Sequence, residues 1–352
     1  MEKISSDVLT LISEAAVIIK EEKISFANFS AQEILGENCV GKSAKSIFGA
    51  QLAECKSPSF IGDVTIRSVP CAARAVRLED RQIVFISPAK KPDSILNESF
   101  LCTMRNSLMS LELSAALLRE KCEKLGEADM LQKIAVVNKH YYRMTRLINN
   151  ASFTISDEAE LCCSMSPVNI SRLYSEIIDS FDFFTNGIKI TASLGQDLIL
   201  NCDATLIKRL ILNLISNCII HARGCTAVDV SFISSGENLI LSVSDNGCGI
   251  DPDDLHMVFD RYRYGFSISE MGKGAGLGLS VCRRIARLHG GTLLLESRPG
   301  QGTMVKVSLA KKFSPIRTLR SSRNETRSFR DDILLEFSDC LGPEFYTEKF
   351  MD

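Results

Sequence analysis

The feature that most restricts the fold is a pair of heptad seams. Leu101, Met104, Leu108, Leu111, Ala115, Leu118 and Cys122 recur at alternating spacings of three and four. After "LGEAD", Met130, Ile134, Val137, Tyr141, Met144 and Ile148 repeat the pattern. A 3-4 repeat sustained over about three heptads is a seam between helices rather than a merely amphipathic surface. The spacing predicts two long helices within residues 95–150, folded into a hairpin. Two such arms cannot enclose a core alone, so a four-helix bundle built from two copies is the natural completion. In that register Asn106 falls at heptad position f, facing outward, and Cys102 at b.

The flanking regions read differently. In residues 1–88, "AAVIIKEEKISFAN" has the pattern of two short strands joined at Glu21–Glu22–Lys23, with a short helix around "SAQEILG". "GDVTIRSVP", "AARAVRLED" and "RQIVFIS" then alternate as strands do, which makes a small α+β domain. "AKKPDS" (89–94) is a linker. Residues 163–312 alternate helical and strand patterns and predict an α/β sandwich around the long apolar helix "ATLIKRLILNLISNCIIHA". Residues 313–352 open as a basic linker and end in a short amphipathic segment. That segment is expected to dock as a helix on the body of the chain or on a partner. The fold class is therefore α+β and multidomain.

Composition narrows the functions open to such a chain. A formal net charge of −2 makes no case for a nucleic-acid partner or a membrane surface. No apolar run approaches the roughly 20 residues of a membrane span. The first residues, "MEKISSDVLTLISEAAVIIK", lack a signal peptide's basic head and cleavage site, so a cytoplasmic location is expected. Thirteen cysteines are scattered, odd in number and without a C-x-x-C. They read as free, mostly small-apolar thiols in a reducing compartment, with redox sensing as the alternative.

Three separated stretches of residues 163–312 converge on one kind of chemistry. Asn213 and Asn217 lie four apart, on one face of a helix. An asparagine carbonyl is a hard, neutral oxygen suited to Mg²⁺ shared with phosphates and water. In "DNGCGI", Asp245 ends an apolar strand before Gly247 and Gly249. A carboxylate there can accept from an adenine amino group, and the glycines let backbone approach the base. In "GKGAGLGLS", Gly272, Gly274, Gly276 and Gly278 lead into a helix start, whose free N–H groups favour phosphate.

In this order the stretches resemble the ATP-binding (Bergerat-type) domain of sensor histidine kinases, type II topoisomerases, heat-shock chaperones and mismatch-repair ATPases. The N-box is "NLISNCIIHA", the G1 box "DNGCGI", the F-box-like segment "VFDRYRYG" and the G2 box "GKGAGLGLS". The resemblance implies ATP and Mg²⁺ as cofactors. It implies that Asn217 holds Mg²⁺ with Asn213 beside it, that Asp245 reads adenine and Thr303 supports that end, and that Gly274, Gly276 and Gly278 shape a lid. ATP-hydrolysing members carry a glutamate four residues before the magnesium asparagine. Here Asn213 stands there, and its amide cannot take a proton, so phosphoryl transfer fits better than hydrolysis. The hairpin is similar to the dimerisation and phosphotransfer domain of a histidine kinase. The first domain resembles a PAS sensor through "FANFSAQEILGENCVGKSAKSIFG".

The expected acceptor histidine is missing. Aligning Phe100, Leu101, Met104 and Leu108 on the family motif places Asn106 at the histidine and Ser107 at the acid. A second register places Cys102 there instead. The four histidines are His140, His221, His256 and His289. His140 sits at heptad g on the second arm and reads as surface. The others read as structural, with His221 and His289 at helix ends where an imidazolium suits the dipole. A second departure is Ile220, where many members have a lysine near the phosphates; Lys208, Arg223 or Lys273 are candidate substitutes. The resulting expectation is a homodimeric sensor-kinase homologue of two-component signalling that binds Mg-ATP without phosphorylating the usual histidine. Its further partner would be a response regulator or a partner kinase. The alternative is a kinase of the same fold acting on a partner histidine or on serine or threonine, with Thr103 and Ser107 nearby.

Overall fold

The structure is a computed structural model of the chain. It describes Leu9 and residues 14–36, 38–49, 59–67, 69–78, 81–88, 98–155, 163–179, 188–194, 198–251, 258, 277–312 and 329–347.

Strands β1 (Ala15–Lys20) and β2 (Lys23–Ala27) form a hairpin whose two turn residues, Glu21 and Glu22, both have positive φ. That geometry matches the twist of the strands and supports a tight two-residue connection. Helix α1 (Phe29–Leu35) begins at Asn28, whose side-chain oxygen accepts from the N–H groups of Ala31 and Ala16, 3.0 Å each. The same amide donates to the Glu14 carbonyl at 2.8 Å, so one buried side chain fixes both the helix start and the strand beside it. After α2 (Ala44–Phe48) come β3 (Ser59–Ile66), β4 (Val69–Leu78) and β5 (Arg81–Pro88). The five strands run antiparallel in the order β2-β1-β5-β4-β3.

Helices α3 (Glu98–Leu125) and α4 (Ala128–Ile155) make the hairpin, turned at Gly126 with φ 70°. Its seam divides. Leu101, Leu108 and Ala115 of α3 are buried, together with Ile148 and Ala151 of α4. The other stripe faces outward: Leu111 and Leu118 are each 56% exposed, Val137 is 50% exposed, and Met130 and Met144 are exposed as well. One copy therefore satisfies about half of its heptad pattern.

The remaining elements are β6 (Ser166–Asn169), α5 (Ile170–Asp179), β7 (Lys189–Leu194), β8 (Ile199–Cys202), α6 (Ala204–His221), β9 (Ala227–Ser235), β10 (Asn238–Asp245), α7 (Leu277–Leu288), β11 (Leu293–Arg298) and β12 (Gly302–Ala310). Strands β6 and β8 pair by themselves. The others form a sheet in the order β11-β12-β10-β9-β7, antiparallel except for the parallel pair β7–β9. Leu241 lies between Phe232 and Val307, one of the apolar rows covered by α6 and α7. Helix α6 is long and apolar enough to cross a bilayer by composition, but half of it is buried inside this core. Asp203 caps it, accepting from the N–H groups of Thr205 and Leu206.

The two sheets are continuous. Strand β3 pairs antiparallel with β11, Ile61 opposite Leu295 and Gly62 opposite Leu294. Ile61 belongs to the core around α6, while Leu294 belongs to the core of the first sheet. Asp63 reinforces the join through Arg287 at 3.1 Å. After the basic stretch, α8 (Phe329–Glu336) and a 3₁₀ turn (Pro343–Tyr346) settle on the body of the chain against α4 and α6. The Tyr346 ring lies 5.3 Å from that of Tyr142, and its hydroxyl donates to the Leu334 carbonyl at 2.8 Å.

His289 corrects an expectation. It follows α7 but is buried, its Nε2 accepting from the Asp203 N–H at 3.1 Å. Nδ1 must then carry the proton, donated to the Ile285 carbonyl at 2.8 Å. The ring is neutral, and burial lowers its pKa below the ordinary 6.5. An imidazolium there would lose the Asp203 bond, and desolvation outweighs any gain from the helix end. The unfolded chain takes up the proton first as the pH falls through 6.5, so folding stability declines with acidification from that point. Urea midpoints at about pH 7.5 and about pH 5.5 should therefore differ more in the native chain than in His289→Gln.

Candidate functional site

A cavity of about 500 Å³ opens between α4, α6, α7 and the ends of β10 and β12. Its walls include Asn217 and Ile220 of α6, Asp245, Gly249, Gly278 and Thr303. Asp245 closes β10, and its Oδ1 accepts from the N–H groups of Gly247 at 2.9 Å and Thr303 at 3.3 Å. The carboxylate also meets a hydrogen-bonding thiol. The neighbouring protein group is Cys218, whose buried thiol has its pKa raised first by desolvation and then by the Asp245 charge. Asn246 holds the turn by accepting from the N–H groups of Thr226 and Ala227.

The glycines are required for different reasons. Gly249 has φ 67°, and a Cβ there would lie 2.1 Å from the Arg298 carbonyl oxygen. A Cβ on Gly247 would lie 2.5 Å from that of Ala222. At Gly278 it would meet the Asn217 amide at 3.1 Å, so this glycine leaves room beside the side chain expected to hold a metal. A chain of hydroxyl contacts backs the site: Ser297 Oγ accepts from the Ile250 N–H at 2.8 Å and lies 2.9 Å from Thr303 Oγ1.

The structure thus brings Asn217, Asp245, Gly249, Gly278 and Thr303 to one cavity, with Gly247 behind it. Gly272, Gly274, Gly276, Lys273, His256 and most of the F-box-like segment lie outside the described residues. Asn213 lies beside Asn217, both amides facing Gly278. It does not line the cavity; it is fully buried, donating to the Arg209 carbonyl at 3.0 Å and to Glu336 Oε2 at 2.9 Å. Its position four residues before Asn217 shares a face, but α4 and the C-terminal segment cover that turn. Asn106 and Cys102 are both exposed on α3, and neither reaches the cavity.

Sequence reasoning missed the cationic wall. Arg143 and Arg146 of α4 line the cavity, with Asp339 from the C-terminal segment beside them. Their spacing of three on the second arm was a usable signal, but it pointed to a helix face and not to a target. Of the substitutes named for the missing lysine, Lys208 pairs with Asp332, and neither it nor Arg223 lines the cavity.

Residues 202–312 match the family described as "Histidine kinase-, DNA gyrase B-, and HSP90-like ATPase". Over part of its length the chain is similar to sensor histidine kinases. It is 30% identical over 186 residues to the sensor protein KdpD of Escherichia coli, covering 51% of this chain and 20% of KdpD. The adaptive-response sensory kinase SasA of Prochlorococcus marinus is 28% identical over 232 residues, 64% of this chain and 61% of SasA. The chain therefore spans about a fifth of the length of KdpD and about three fifths of that of SasA. Among solved structures, the ATP-binding domain of PrrB from Mycobacterium tuberculosis shares 24% identity at a TM-score of 0.35. It covers 42% of this chain and 98% of its own.

Two glycine substitutions separate the reasons given for the turn after Asp245. Gly249→Ala meets both a positive φ and the Arg298 carbonyl, whereas Gly300→Ala has φ 73° and open space around it. Thermal denaturation should show Gly300→Ala costing about 1 kcal/mol and Gly249→Ala clearly more. Equal costs would mean that the close approach at Gly249 is not real.

Proposed function

We propose that this chain is a sensor-kinase homologue of two-component signalling that binds Mg-ATP in the cavity beside α6 and does not phosphorylate itself at the usual histidine position of the first hairpin helix. The observation carrying the first part is the convergence of Asn217, Asp245 and Thr303 on one space, with Gly249 and Gly278 giving backbone access. The donor set suits the ligand: a neutral hard oxygen for Mg²⁺, and a carboxylate held by backbone N–H groups that can accept from an amino group. Mg²⁺ would be held by Asn217 and would offset phosphate charge during transfer.

The residues of this chain disfavour hydrolysis. Asn213 occupies the base position, and its amide is bonded to Arg209 and Glu336. Glu336 brings a carboxylate close to that turn, but Arg146 meets it at 3.2 Å and Arg209 at 3.4 Å. A carboxylate engaged by two guanidinium groups is a poor proton acceptor. The second part of the proposal rests on α3, which has no histidine along Glu98–Leu125.

Residues 1–88 serve as a PAS-like sensor in this reading. Residues 95–150 form the homodimer through the exposed stripe of Leu111, Leu118, Val137 and Met144, since a second hairpin would cover it. A response regulator or a partner kinase completes the pathway. The described cysteines are free, which supports a reducing, cytoplasmic setting.

Titration of fluorescent mant-ATP with Mg²⁺ should give saturable binding. Asn217→Ala and Asp245→Asn should each weaken it by about tenfold or more, as expected for one charge-assisted contact. Unchanged affinity in both variants would move the site elsewhere. Incubation with γ-labelled ATP should leave no acid-labile label on the chain. Acid-stable label would point instead to serine or threonine transfer, and acid-labile label would remove the second part of the proposal. Light scattering should report a dimer for the native chain and a monomer for Leu118→Glu.

A further inference from the structure

The C-terminal segment holds most of the cationic charge around the cavity. Asp339 meets Arg143 Nε at 2.7 Å and Arg146 Nη1 at 2.9 Å. Glu336 takes Arg146 Nε at 3.2 Å and Arg209 Nε at 3.4 Å, and Asp332 pairs with Lys208. Four cations of α4 and α6 are thus matched to three acids of one short stretch. Two of those cations, Arg143 and Arg146, line the cavity, and so does Asp339 itself. Of the α6 residues that line the same space, among them Asn217, Cys218 and His221, Ile220 offers no charge.

The seating is apolar and specific. Ile333, Leu334, Phe337, Leu341 and Tyr346 are buried. Ser216 donates to the Glu336 carbonyl at 3.1 Å, and Asn138 to the Tyr346 carbonyl at 3.2 Å. The segment is therefore docked in register, with its carboxylates delivered to fixed places.

We infer that the C-terminal segment is an intramolecular latch whose Asp339 and Glu336 carboxylates stand where they compete with nucleotide phosphates for the guanidinium groups of Arg143 and Arg146. This rests on the Mg-ATP reading of the cavity. A carboxylate and a phosphate oxygen make the same demand on an arginine fork, a pair of charge-assisted N–H bonds. With Asp339 in place, an incoming triphosphate meets both a repelling charge and cations already engaged. With the segment displaced, the same two arginines supply the positive charge that Ile220 does not. Nucleotide and docked segment then disfavour each other by the same factor in both directions. Release of the segment by a partner or a signal would raise nucleotide affinity.

The full-length chain supplies its own reporter. Cys340 is mostly buried beside Ser216 at 3.8 Å, and burial pushes its thiol up to about 11, so it alkylates slowly while docked. Iodoacetamide labelling at Cys340, read by mass spectrometry against Cys282 in the core, should rise several-fold when Mg-ATP saturates the protein. Mant-ATP titration should give binding about tenfold tighter for Asp339→Asn and weaker for Arg143→Gln than for the native chain. Nucleotide that binds while Cys340 labelling and the Asp339→Asn affinity both stay unchanged overturns the latch and leaves the binding site standing. Binding by Asp339→Asn alone supports the latch in its strongest form. No binding by either chain overturns the Mg-ATP reading and the latch with it. The Cys340 measurement uses the native chain, so it does not depend on any variant folding.

Discussion

A helical stretch buried all round cannot leave its polar residues unpaired, and much of this structure follows from that constraint on the middle of α6. From Leu210 to Ser216 every side chain is buried. The apolar ones fill the space over β9, β10 and β12. Asn213 and Ser216 are the exceptions, and an unsatisfied amide or hydroxyl in that setting costs about 1–3 kcal/mol. Their partners come from elsewhere in the chain: Arg146 from α4, and Glu336 with its carbonyl from the C-terminal segment. Packing the helix thus dictates what covers it. The side left open, at Asn217 and Ile220, is the side that faces the cavity.

Much of this was legible in the sequence, and the residues show why. Alternation over "AVDVSFISS" and "NLILSVSDNG" marks strands buried on one face, and β9 and β10 follow it almost to the residue. The Asp245 turn was readable because its glycines admit few other roles, and Gly249 does take a positive φ. The heptads located both arms of the hairpin. They said nothing about which half of each seam a single chain would bury, because a 3-4 pattern does not distinguish an intramolecular neighbour from a second copy. The neutral state of His289 and the partners of Asn213 were not legible for a related reason. Spacing assigns a residue to a helix face, but not the element that comes to lie over it. Beyond its local bond to the Arg209 carbonyl, the side-chain partners of Asn213 lie 67 and 123 residues away in the chain, outside any local pattern.

The wall of the cavity shows how charge is distributed when function and packing share one surface. Arg146 serves the interior through Asn213 and Ser216 and the cavity through its place in the lining. Asp339 is more exposed than Glu336, so the pair runs from a buried anchor to a half-open contact at the rim. Electrostatic contacts of the buried kind are expensive to break, while those at the rim respond to solvent and to competing anions. The gradient therefore places the more labile contact next to the space a ligand would enter.

The junction of β3 with β11 has a consequence for how the chain may be divided. Each strand would otherwise end its own sheet with a row of unpaired backbone donors and acceptors, a template for adding strands from other molecules. Here each closes the other, with Ile61 and Leu294 crossing into the opposite core. Cutting the chain between the first sheet and the hairpin would produce two fragments, each with a fresh sticky border. The apparent modules of this protein are thus poor units for separate expression: what looks like a linker in the sequence joins pieces that keep one another soluble.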